Sequence, residues 1–455
     1  MSEIIWDHEL IQKYNQSGPR YTSYPTALEF HENYTNQDFI NAAERYPNRP
    51  LSLYVHIPFC HQLCYFCACN KVITRHQHKA DIYLDYLEKE ILSRAQLFKN
   101  RTVTQIHWGG GTPTYLSETQ SARLMAMLKA NFAISPDAEI SIEIDPRQIE
   151  LSMLDHLRSF GFNRMSMGVQ DFNKDVQKAV NREQDEAFIE ALLELARQLG
   201  FQSTNLDLIY GLPLQNVESF MFTLEKVIAL NPDRLSIFNY AHLPSRVPGQ
   251  AKIKEDQLPA PETKLTILQK TIETLGDAGY KFIGMDHFAK PHDELAIAQQ
   301  NGVLHRNFQG YTTQEDADLL GLGVSSISLL GDTYAQNEKD LKTYYALVEE
   351  QGNALHKGLV LSKEDCLRRD VIKELICNFK LDFAPIESQY EINFTEHFKE
   401  DLALLQPLMD DGLIQQTEKG LIVSPKGRLL IRNICLCFDT YSRAAAKRQQ
   451  FSRII

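Results

Sequence analysis

Residues 51–69 read LSLYVHIPFCHQLCYFCAC, a short β-prone run that leads directly into four closely spaced cysteines. The first seven residues predict a strand, because they are rich in β-branched, aromatic and other apolar side chains. Cys60, Cys64, Cys67 and Cys69 follow within ten residues. Barrel enzymes place their chemistry in loops that follow strands, so this junction is the candidate functional site.

Further strands and helices alternate after this run. Strands are predicted at Val103–Trp108, Glu139–Ile144, Arg164–Val169, Thr204–Ile209 and Arg234–Asn239, with Lys281–Met285 as a further candidate. Helices are predicted at 80–99, 148–160, 186–200, 216–230 and 261–277, and Ser117 with Gln120 predicts a capping box for another. This alternation predicts an α/β fold with a parallel sheet. At least six units in succession favour a whole or partial TIM-like (β/α)6 barrel over a doubly wound sheet.

Composition and charge narrow the class of protein. The chain has 455 residues, of which 43% are hydrophobic and 23% charged, which is typical of a globular protein. It contains no apolar run of 18 residues, so no membrane span is expected. Its first residues lack a signal-peptide pattern, so we expect a cytoplasmic location. The net charge of −12 argues against nucleic acid as a partner.

Three segments are predicted. Residues 1–48 form an irregular N-terminal arm that covers the active site, and residues 49–355 form the barrel. Residues 356–455 form a mostly helical domain with a hairpin from Leu413–Gln416 to Leu421–Val423 and a helix over 427–437. Helices with such a hairpin resemble a winged-helix unit. The segment lacks a basic stripe, which favours a structural or substrate-covering role over DNA binding.

The cysteine spacing indicates metal chemistry. A disulfide framework is not expected in a long chain without a secretion signal. Gaps of three and two residues let Cys60, Cys64 and Cys67 surround one cluster from a single loop, and thiolates suit both iron–sulfur clusters and zinc. Structural zinc normally takes four ligands, so a zinc knuckle is the less favoured alternative. Cys69 need not be a ligand.

Polar or glycine residues recur where the predicted strands end. They are Gly109–Pro113, Glu143, Gln170 with Arg182 farther along, Asp207 and Tyr240–His242. Residues that follow parallel strands meet at one face of a barrel, so we expect these groups to converge. Glycine would allow close approach of the backbone to a ligand, although turns also use it.

The CxxxCxxC spacing, with Phe66 before the third cysteine, resembles the signature of the radical S-adenosylmethionine superfamily. Within it, the chain is similar to the oxygen-independent coproporphyrinogen III oxidase family over almost its whole length. The motifs that carry this resemblance are Tyr54–Cys60, His107–Pro113, Gly168–Asp171, Asp207–Pro213, Pro19–Pro25, His305–Tyr311 and Phe451–Ile455.

The resemblance implies a [4Fe–4S] cluster on Cys60, Cys64 and Cys67, whose open iron chelates S-adenosylmethionine. One electron from the cluster cleaves the sulfonium and yields a 5′-deoxyadenosyl radical. This radical abstracts a hydrogen from a propionate β-carbon of coproporphyrinogen III. Two propionates become vinyl groups, two S-adenosylmethionine molecules are consumed, and protoporphyrinogen IX forms. An electron donor, an unidentified electron acceptor and a monomeric state are also implied.

The resemblance implies two sets of S-adenosylmethionine-binding residues. Tyr54, Gly110, Glu143 and Ile327 would bind the molecule on the cluster, and Phe66, Gly111, Thr112, Gln170, Arg182, Asp207 and Ala241 would bind the second. Asp207 suits a ribose diol and Arg182 a carboxylate. Gly111 and Thr112 stand at positions where the motif of the superfamily is usually more acidic. Without the resemblance, Ile327 would be interpreted as a residue that only packs in the core.

The substrate carries four propionates, for which Arg20, Arg306 and Arg453 are candidate counter-charges. Ala68 is a departure, because the family has glycine between Cys67 and Cys69. If the loop requires a positive φ at this position, alanine would cost about 1 kcal/mol or more.

Two alternative functions are considered. A haem chaperone of the same superfamily is disfavoured, because such relatives lack the fourth cysteine and the Pro19–Pro25 arm. A zinc-stabilised winged-helix regulator is disfavoured by the acidic charge and by the alternation of strands and helices.

Overall fold

The computed structural model describes residues 4–443 and residue 451. They divide into two compact units. The first, which we call the sheet unit, consists of 30–271 and 316–360. The second, the C-terminal unit, consists of the described parts of 1–29, 272–315 and 361–455. The cysteine loop belongs to the sheet unit.

The main sheet of the sheet unit has strands that we number in chain order. They are β1 (Leu51–Ile57), β2 (Thr102–Gly110), β3 (Ala133–Ile144), β4 (Arg164–Gln170), β5 (Ser203–Tyr210), β6 (Arg234–Asn239), β7 (Asp318–Leu322), β8 (Ile327–Leu330), β9 (Thr333–Asn337) and β10 (Leu355–Val360). Their order is β10-β9-β8-β7-β1-β2-β3-β4-β5-β6. Strands β1 to β6 are parallel, and β7 pairs in parallel with β1. Strands β8, β9 and β10 continue the sheet antiparallel.

Helices follow the parallel strands, as predicted. Those of the sheet unit are Asn36–Arg45, His78–Ala95, Glu118–Asn131, Ser152–Phe160, Lys174–Ala179, Glu186–Gln198, Val217–Leu230 and Leu341–Gln351, and Pro261–Asp277 contains the boundary between the units. The Ser117–Gln120 capping box is confirmed. Helices cover the faces of a parallel sheet, which is why β1 is buried along nearly its whole length. The predicted α/β fold with a parallel sheet is therefore confirmed.

Three expectations differ from the structure. A seventh parallel strand, β7, was not predicted. The candidate strand at Lys281–Met285 is confirmed as Lys281–Gly284, but it pairs antiparallel with His287–Ala289 and belongs to the C-terminal unit. The segment 1–48 is less irregular than expected, since it contains helix Asn36–Arg45 with a Thr35–Asp38 capping box.

The C-terminal unit is mostly helical. Its helices are His8–Tyr14, Glu294–Gln300, Lys363–Asn378, Phe383–Tyr390, Phe394–His397, Lys399–Asp410 and Ile431–Phe438. Its other strands are His305–Asn307, Gly310–Thr312, Lys380–Asp382, Ile414–Gln416 and Gly420–Val423. The predicted hairpin is present, because Ile414–Gln416 pairs antiparallel with Gly420–Val423.

Residues 4–29 are held within this unit by side-chain contacts. The Tyr21 hydroxyl donates to Asp439 at 3.0 Å, and Arg432 donates to the Pro19 carbonyl at 2.8 Å. Tyr21 and Tyr24 are buried. The aromatic residues of the arm therefore form part of an apolar core, which is why this segment is ordered. No helix among the described residues is long and apolar enough to cross a membrane.

Candidate active site at the cysteine loop

The cysteine loop leaves the carboxyl end of β1 and is anchored at both ends. Strand Phe59–Cys60 pairs in parallel with Val72–Ile73. Cys60 and Cys64 are buried, with 8% and 7% of their surfaces exposed, whereas Cys67 is half-buried and Cys69 exposed. All eight cysteines of the chain are free thiols. The loop therefore turns two thiols inward and presents two toward its open side.

Ala68 does not adopt a positive φ. Alanine therefore carries no left-handed backbone strain at this position, and the structure removes the expected cost of replacing the family's glycine.

The loop thiols have different environments. Cys60 is hydrogen-bonded to the Thr112 hydroxyl at 3.3 Å, and burial raises the pKa of Cys60 to about 11. A hydrogen bond between Cys67 and Cys69, together with the nearby ammonium of Lys71, lowers the pKa of Cys67 below its usual value. Lys71 also donates to the Cys67 carbonyl at 2.7 Å.

Two guanidinium groups contact the sulfur of Cys64. Arg147 donates to this sulfur at 3.2 Å and Arg182 at 3.3 Å. Asp145 pairs with both arginines. Burial alone would raise the pKa of Asp145, but Arg182 and Arg147 hold it well below its usual range. Two cationic donors around one buried sulfur offset the negative charge that a cluster and its thiolate ligands bring, so this environment fits an iron–sulfur cluster.

Among the described residues, no three His, Cys, Asp or Glu side chains lie close enough together to share one metal ion. The thiolates of a cubane cluster bind separate irons, so they need not converge on a single point.

The residues expected to bind the first S-adenosylmethionine lie on adjacent strands. The Gly110 N–H donates to Glu143 at 3.1 Å, which joins the ends of β2 and β3. Tyr54 stacks on His107, with ring centroids 5.9 Å apart, and His107 lies 3.4 Å from Glu143. Tyr54 is paired across the sheet with Gly321 of β7.

Ile327 is brought close to this group by the turn between β7 and β8. A Cβ on Gly321 would lie 2.7 Å from the Ile327 carbonyl oxygen, so only glycine allows β8 to fold back so closely.

Gly110 has φ +115°, and a Cβ there would lie 2.6 Å from the His56 ring. The need for glycine at Gly110 thus arises from packing within the protein itself, and not only from approach to a ligand.

The residues expected to bind the second molecule extend from the cysteine loop to β6. Gln250 donates to the carbonyls of Phe66 at 3.0 Å and Ala241 at 3.2 Å, which links the loop to the end of β6. The Gly111 N–H donates to the Ile57 carbonyl at 2.8 Å. Thr112, as described above, contacts Cys60. These residues therefore border the loop directly.

The remaining members of this set lie on β4, β5 and the segment after β4. Gln170 ends β4 in the left-handed region, with φ +69°. Arg182 donates to the Gly168 carbonyl as well as to Cys64. Burial, with repulsion from Glu143, raises the pKa of Asp207 to about 6. A carboxylate that is costly to ionise without a partner fits a ligand site.

Several supporting residues were missed by the sequence analysis. Arg147 follows Asp145 and Pro146 directly after β3, and an acid–base pair at a strand end is a signal that could have identified it. Glu90 is fully buried on the inner face of helix His78–Ala95. A carboxylate on the apolar face of an amphipathic helix is the signal at that position.

Glu90 holds the loop between β7 and β8. Its carboxylate accepts hydrogen bonds from the Gly323 N–H at 2.8 Å, the Asn337 amide at 2.6 Å and the Tyr344 hydroxyl at 2.7 Å. Two turns earlier on the same helix, the Tyr83 hydroxyl donates to the carbonyl of His56 at 2.6 Å. The helix thus fixes the position of the turn that carries Ile327 against the end of β1.

The candidate propionate-binding arginines differ in their surroundings. In the C-terminal unit, Arg20 forms an ion pair with Asp286. Nε and Nη1 of Arg306 are buried without a hydrogen-bond partner, and its guanidinium lies over the Tyr311 ring, 4.6 Å from the centroid. Arg453 lies outside the described residues, as does most of the Phe451–Ile455 motif.

Comparisons with known proteins identify the family. The Radical SAM superfamily model matches residues 54–227, and the HemN C-terminal domain model matches residues 361–430. An oxygen-independent coproporphyrinogen III oxidase from Escherichia coli K12 is 67% identical over 455 residues, covering 100% of both chains. Its counterpart from Pseudomonas aeruginosa PAO1 is 50% identical over 461 residues, again covering 100% of both.

A solved structure agrees with these relatives. The coproporphyrinogen III oxidase HemN from Escherichia coli, described as a radical SAM enzyme, has a TM-score of 0.94 and 65% sequence identity, and the match covers 97% of this chain and 100% of that one. Full-length identity at this level, together with the cysteine loop at the carboxyl end of β1, leads to one conclusion. This chain belongs to the oxygen-independent coproporphyrinogen III oxidase family of the radical SAM superfamily.

Proposed function

We propose that this protein converts two propionate side chains of coproporphyrinogen III into vinyl groups and so forms protoporphyrinogen IX. Each propionate loses one hydrogen atom from its β-carbon, one carbon dioxide and one electron. The observation that carries the proposal is the three-cysteine loop at the carboxyl end of β1, with the Cys64 sulfur between two guanidinium groups. Relatives named for this reaction match the whole chain.

Cys60, Cys64 and Cys67 would hold the cluster through their thiolates. When bound, the [4Fe–4S] cluster supplies the electron that cleaves S-adenosylmethionine to a 5′-deoxyadenosyl radical. Arg147 and Arg182 offset the negative charge that collects around Cys64. The burial of Cys60 and Cys64 excludes water from that side of the loop.

Tyr54, Gly110, Glu143 and Ile327 would bind the S-adenosylmethionine on the cluster. Glu143 supplies a carboxylate for the ammonium group, and its hydrogen bond from the Gly110 N–H orients it. Tyr54 packs against His107 and limits the movement of both rings.

A second S-adenosylmethionine would lie beyond the first. The residues proposed to bind it are Phe66, Gly111, Thr112, Gln170, Arg182, Asp207 and Ala241. Asp207 would accept hydrogen bonds from a ribose diol. Its partners Ser166, at 3.0 Å, and Asn205, at 2.8 Å, orient its carboxylate.

Arg306 is the arginine best suited to a substrate propionate. Its two unpartnered nitrogens are buried, and a carboxylate would satisfy them. Arg20 is less available because Asp286 already offsets its charge. Arg453 remains a proposal from the sequence alone.

The remaining proposals concern the protein's partners and organisation. We propose a monomer that requires an electron donor for the cluster and a separate electron acceptor, with no nucleic-acid partner. A cytoplasmic location is proposed because eight free thiols suit a reducing compartment. We also retain the functional division into an arm at 1–48, a catalytic barrel at 49–355 and a C-terminal domain at 356–455.

The test is anaerobic reconstitution with iron and sulfide, followed by reductant, S-adenosylmethionine, coproporphyrinogen III and a cell extract as electron acceptor. Chromatography should detect protoporphyrin after oxidation, and none when S-adenosylmethionine is omitted. Cys64→Ser should lose both cluster and product, whereas Cys366→Ser, a matched control outside the loop, should keep both. A [4Fe–4S] spectrum without a vinyl product would refute the proposed reaction.

A further inference from the structure

Arg147 contacts the cysteine loop but has no role in the binding sets described above. Its Nη2 donates to the Cys64 sulfur at 3.2 Å. Only 6% of the Arg147 side chain is exposed. Its charge therefore acts on the sulfur with little screening by solvent.

The guanidinium of Arg147 is fixed in position by two further groups, the Asp145 carboxylate and the Asn181 carbonyl. Its Nε and Nη2 donate to Asp145 at 2.9 and 2.6 Å, and its Nη1 donates to the Asn181 carbonyl at 3.2 Å. The Asp145 carboxylate also accepts from the Arg147 backbone N–H at 3.1 Å. Every nitrogen of the guanidinium is thus engaged, and its orientation toward Cys64 is set before any cofactor binds.

The charges around Cys64 do not cancel. Arg147 and Arg182 contribute two positive charges, whereas Asp145 contributes one negative charge. Hydrogen bonds to ligand sulfurs and local net charge are among the factors that set the reduction potential of iron–sulfur clusters. Reduction adds one negative charge, so a fixed cationic donor stabilises the reduced state more than the oxidised state.

We propose that Arg147 is a positioning residue that raises the reduction potential of the cluster through its hydrogen bond to Cys64. The inference rests on the proposed cluster at Cys60, Cys64 and Cys67. It concerns electron delivery and not substrate recognition. Arg182 contributes to the same field, but it is also proposed to bind S-adenosylmethionine, so Arg147 is the cleaner residue to test.

The test compares Arg147→Gln, Arg147→Lys and the control Arg197→Gln in anaerobically reconstituted full-length protein. Arg197 is exposed and donates to the carbonyls of Leu230 and Asn231, so its replacement removes a guanidinium away from the loop. A redox titration followed by electron paramagnetic resonance, without substrate, measures the midpoint potential. Cluster content and circular dichroism are recorded for each variant.

At the wild-type midpoint, Arg147→Gln should lower the ratio of reduced to oxidised cluster about tenfold, which corresponds to about 59 mV for one electron. Arg147→Lys keeps the charge but loses the fixed fork, so its shift should be smaller, and Arg197→Gln should match the wild type. An unchanged midpoint in cluster-loaded Arg147→Gln would overturn the inference. Loss of the cluster from both Arg147 variants would also overturn it, because the role would then be structural.

This outcome is separate from that of the proposed reaction. A shifted midpoint in protein that forms no vinyl product would support the role of Arg147 and refute the reaction. Normal product formation with an unshifted midpoint would support the reaction and refute the role of Arg147.

Discussion

Replacing Asp207 with asparagine should stabilise the apoprotein and weaken its binding of S-adenosylmethionine. Asp207 lies on β5, where burial and the charge of Glu143 raise the pKa of its carboxyl from 3.8 to about 6. Ionising this group in the folded protein is therefore unfavourable. The side-chain amide of asparagine has the same shape, and it can still hydrogen-bond with Ser166 and Asn205.

The size of the effect follows from the pKa. Because the pKa of Asp207 is raised on folding, the folded protein binds a proton at this carboxyl more tightly than the unfolded chain does. The resulting stabilisation is fully present below pH 3.8 and is lost as the pH rises through about 6. A rise from 3.8 to about 6 corresponds to about 3 kcal/mol at 1.36 kcal/mol per unit. Asp207→Asn should therefore be more stable than the wild type by about 3 kcal/mol at pH 8 and by about half of that at pH 5.

Trp108 allows the sheet unit to be followed by itself. The chain has two tryptophans, and Trp108 is fully buried on β2. In a Trp6→Phe background, urea unfolding monitored by tryptophan fluorescence would report the free energy of unfolding of the sheet unit. Asp233→Asn is the matched control, because that carboxylate accepts hydrogen bonds from the Thr204 backbone and hydroxyl and should not gain stability when replaced.

Either of two results would refute this reasoning. One is an Asp207→Asn protein that is no more stable than the wild type at pH 8. The other is a gain of equal size at pH 5 and pH 8, since a gain from removing an ionisable group must depend on pH. Equilibrium binding of S-adenosylmethionine, measured by calorimetry on the cluster-loaded protein, should weaken in parallel if Asp207 contacts the ribose.

Three further changes have defined outcomes. Glu90→Ala leaves three buried donors without an acceptor, so it should lower the free energy of unfolding by about 3 kcal/mol or more. Urea unfolding would measure this change, and a loss of less than about 1 kcal/mol would contradict the role of Glu90. Ala68→Gly should leave cluster content and turnover unchanged, because Ala68 needs no positive φ, and a clear gain in cluster content would show that alanine is strained. In steady-state assays, Arg306→Ala should raise the KM for coproporphyrinogen III about tenfold, and Arg20→Ala should raise it less. An unchanged KM in Arg306→Ala would remove Arg306 from the site.

The sequence by itself determined the type of fold and the location of the site. Strands β1 and β6 have the predicted bounds, because short β-prone runs between turn signals are local patterns that do not depend on distant residues. The Ser117–Gln120 capping box is equally local. The cysteine spacing and the motifs at the strand ends identified the family, since short motifs carry their chemistry in residue type and spacing.

The sequence could not identify elements that depend on distant partners. Strand β7 is a run of five residues that becomes a parallel strand because it pairs with β1, more than 250 residues earlier in the chain. The Lys281–Gly284 strand was predicted, but its antiparallel pairing with His287–Ala289 was not. Pairing between strands, and not local propensity, decides such short segments.

Only the tertiary structure decided how the side chains of the site support one another. Arg147 and Arg182 are far from Cys64 in the sequence, yet both donate to its sulfur because β1, β3 and β4 end at the same edge of the sheet. Glu90 breaks the apolar face of its helix, and its role became clear only when the Gly323 loop folded against it. A buried charge must find its partners wherever the chain brings them, so its role is a property of the folded sheet and not of its neighbours in sequence.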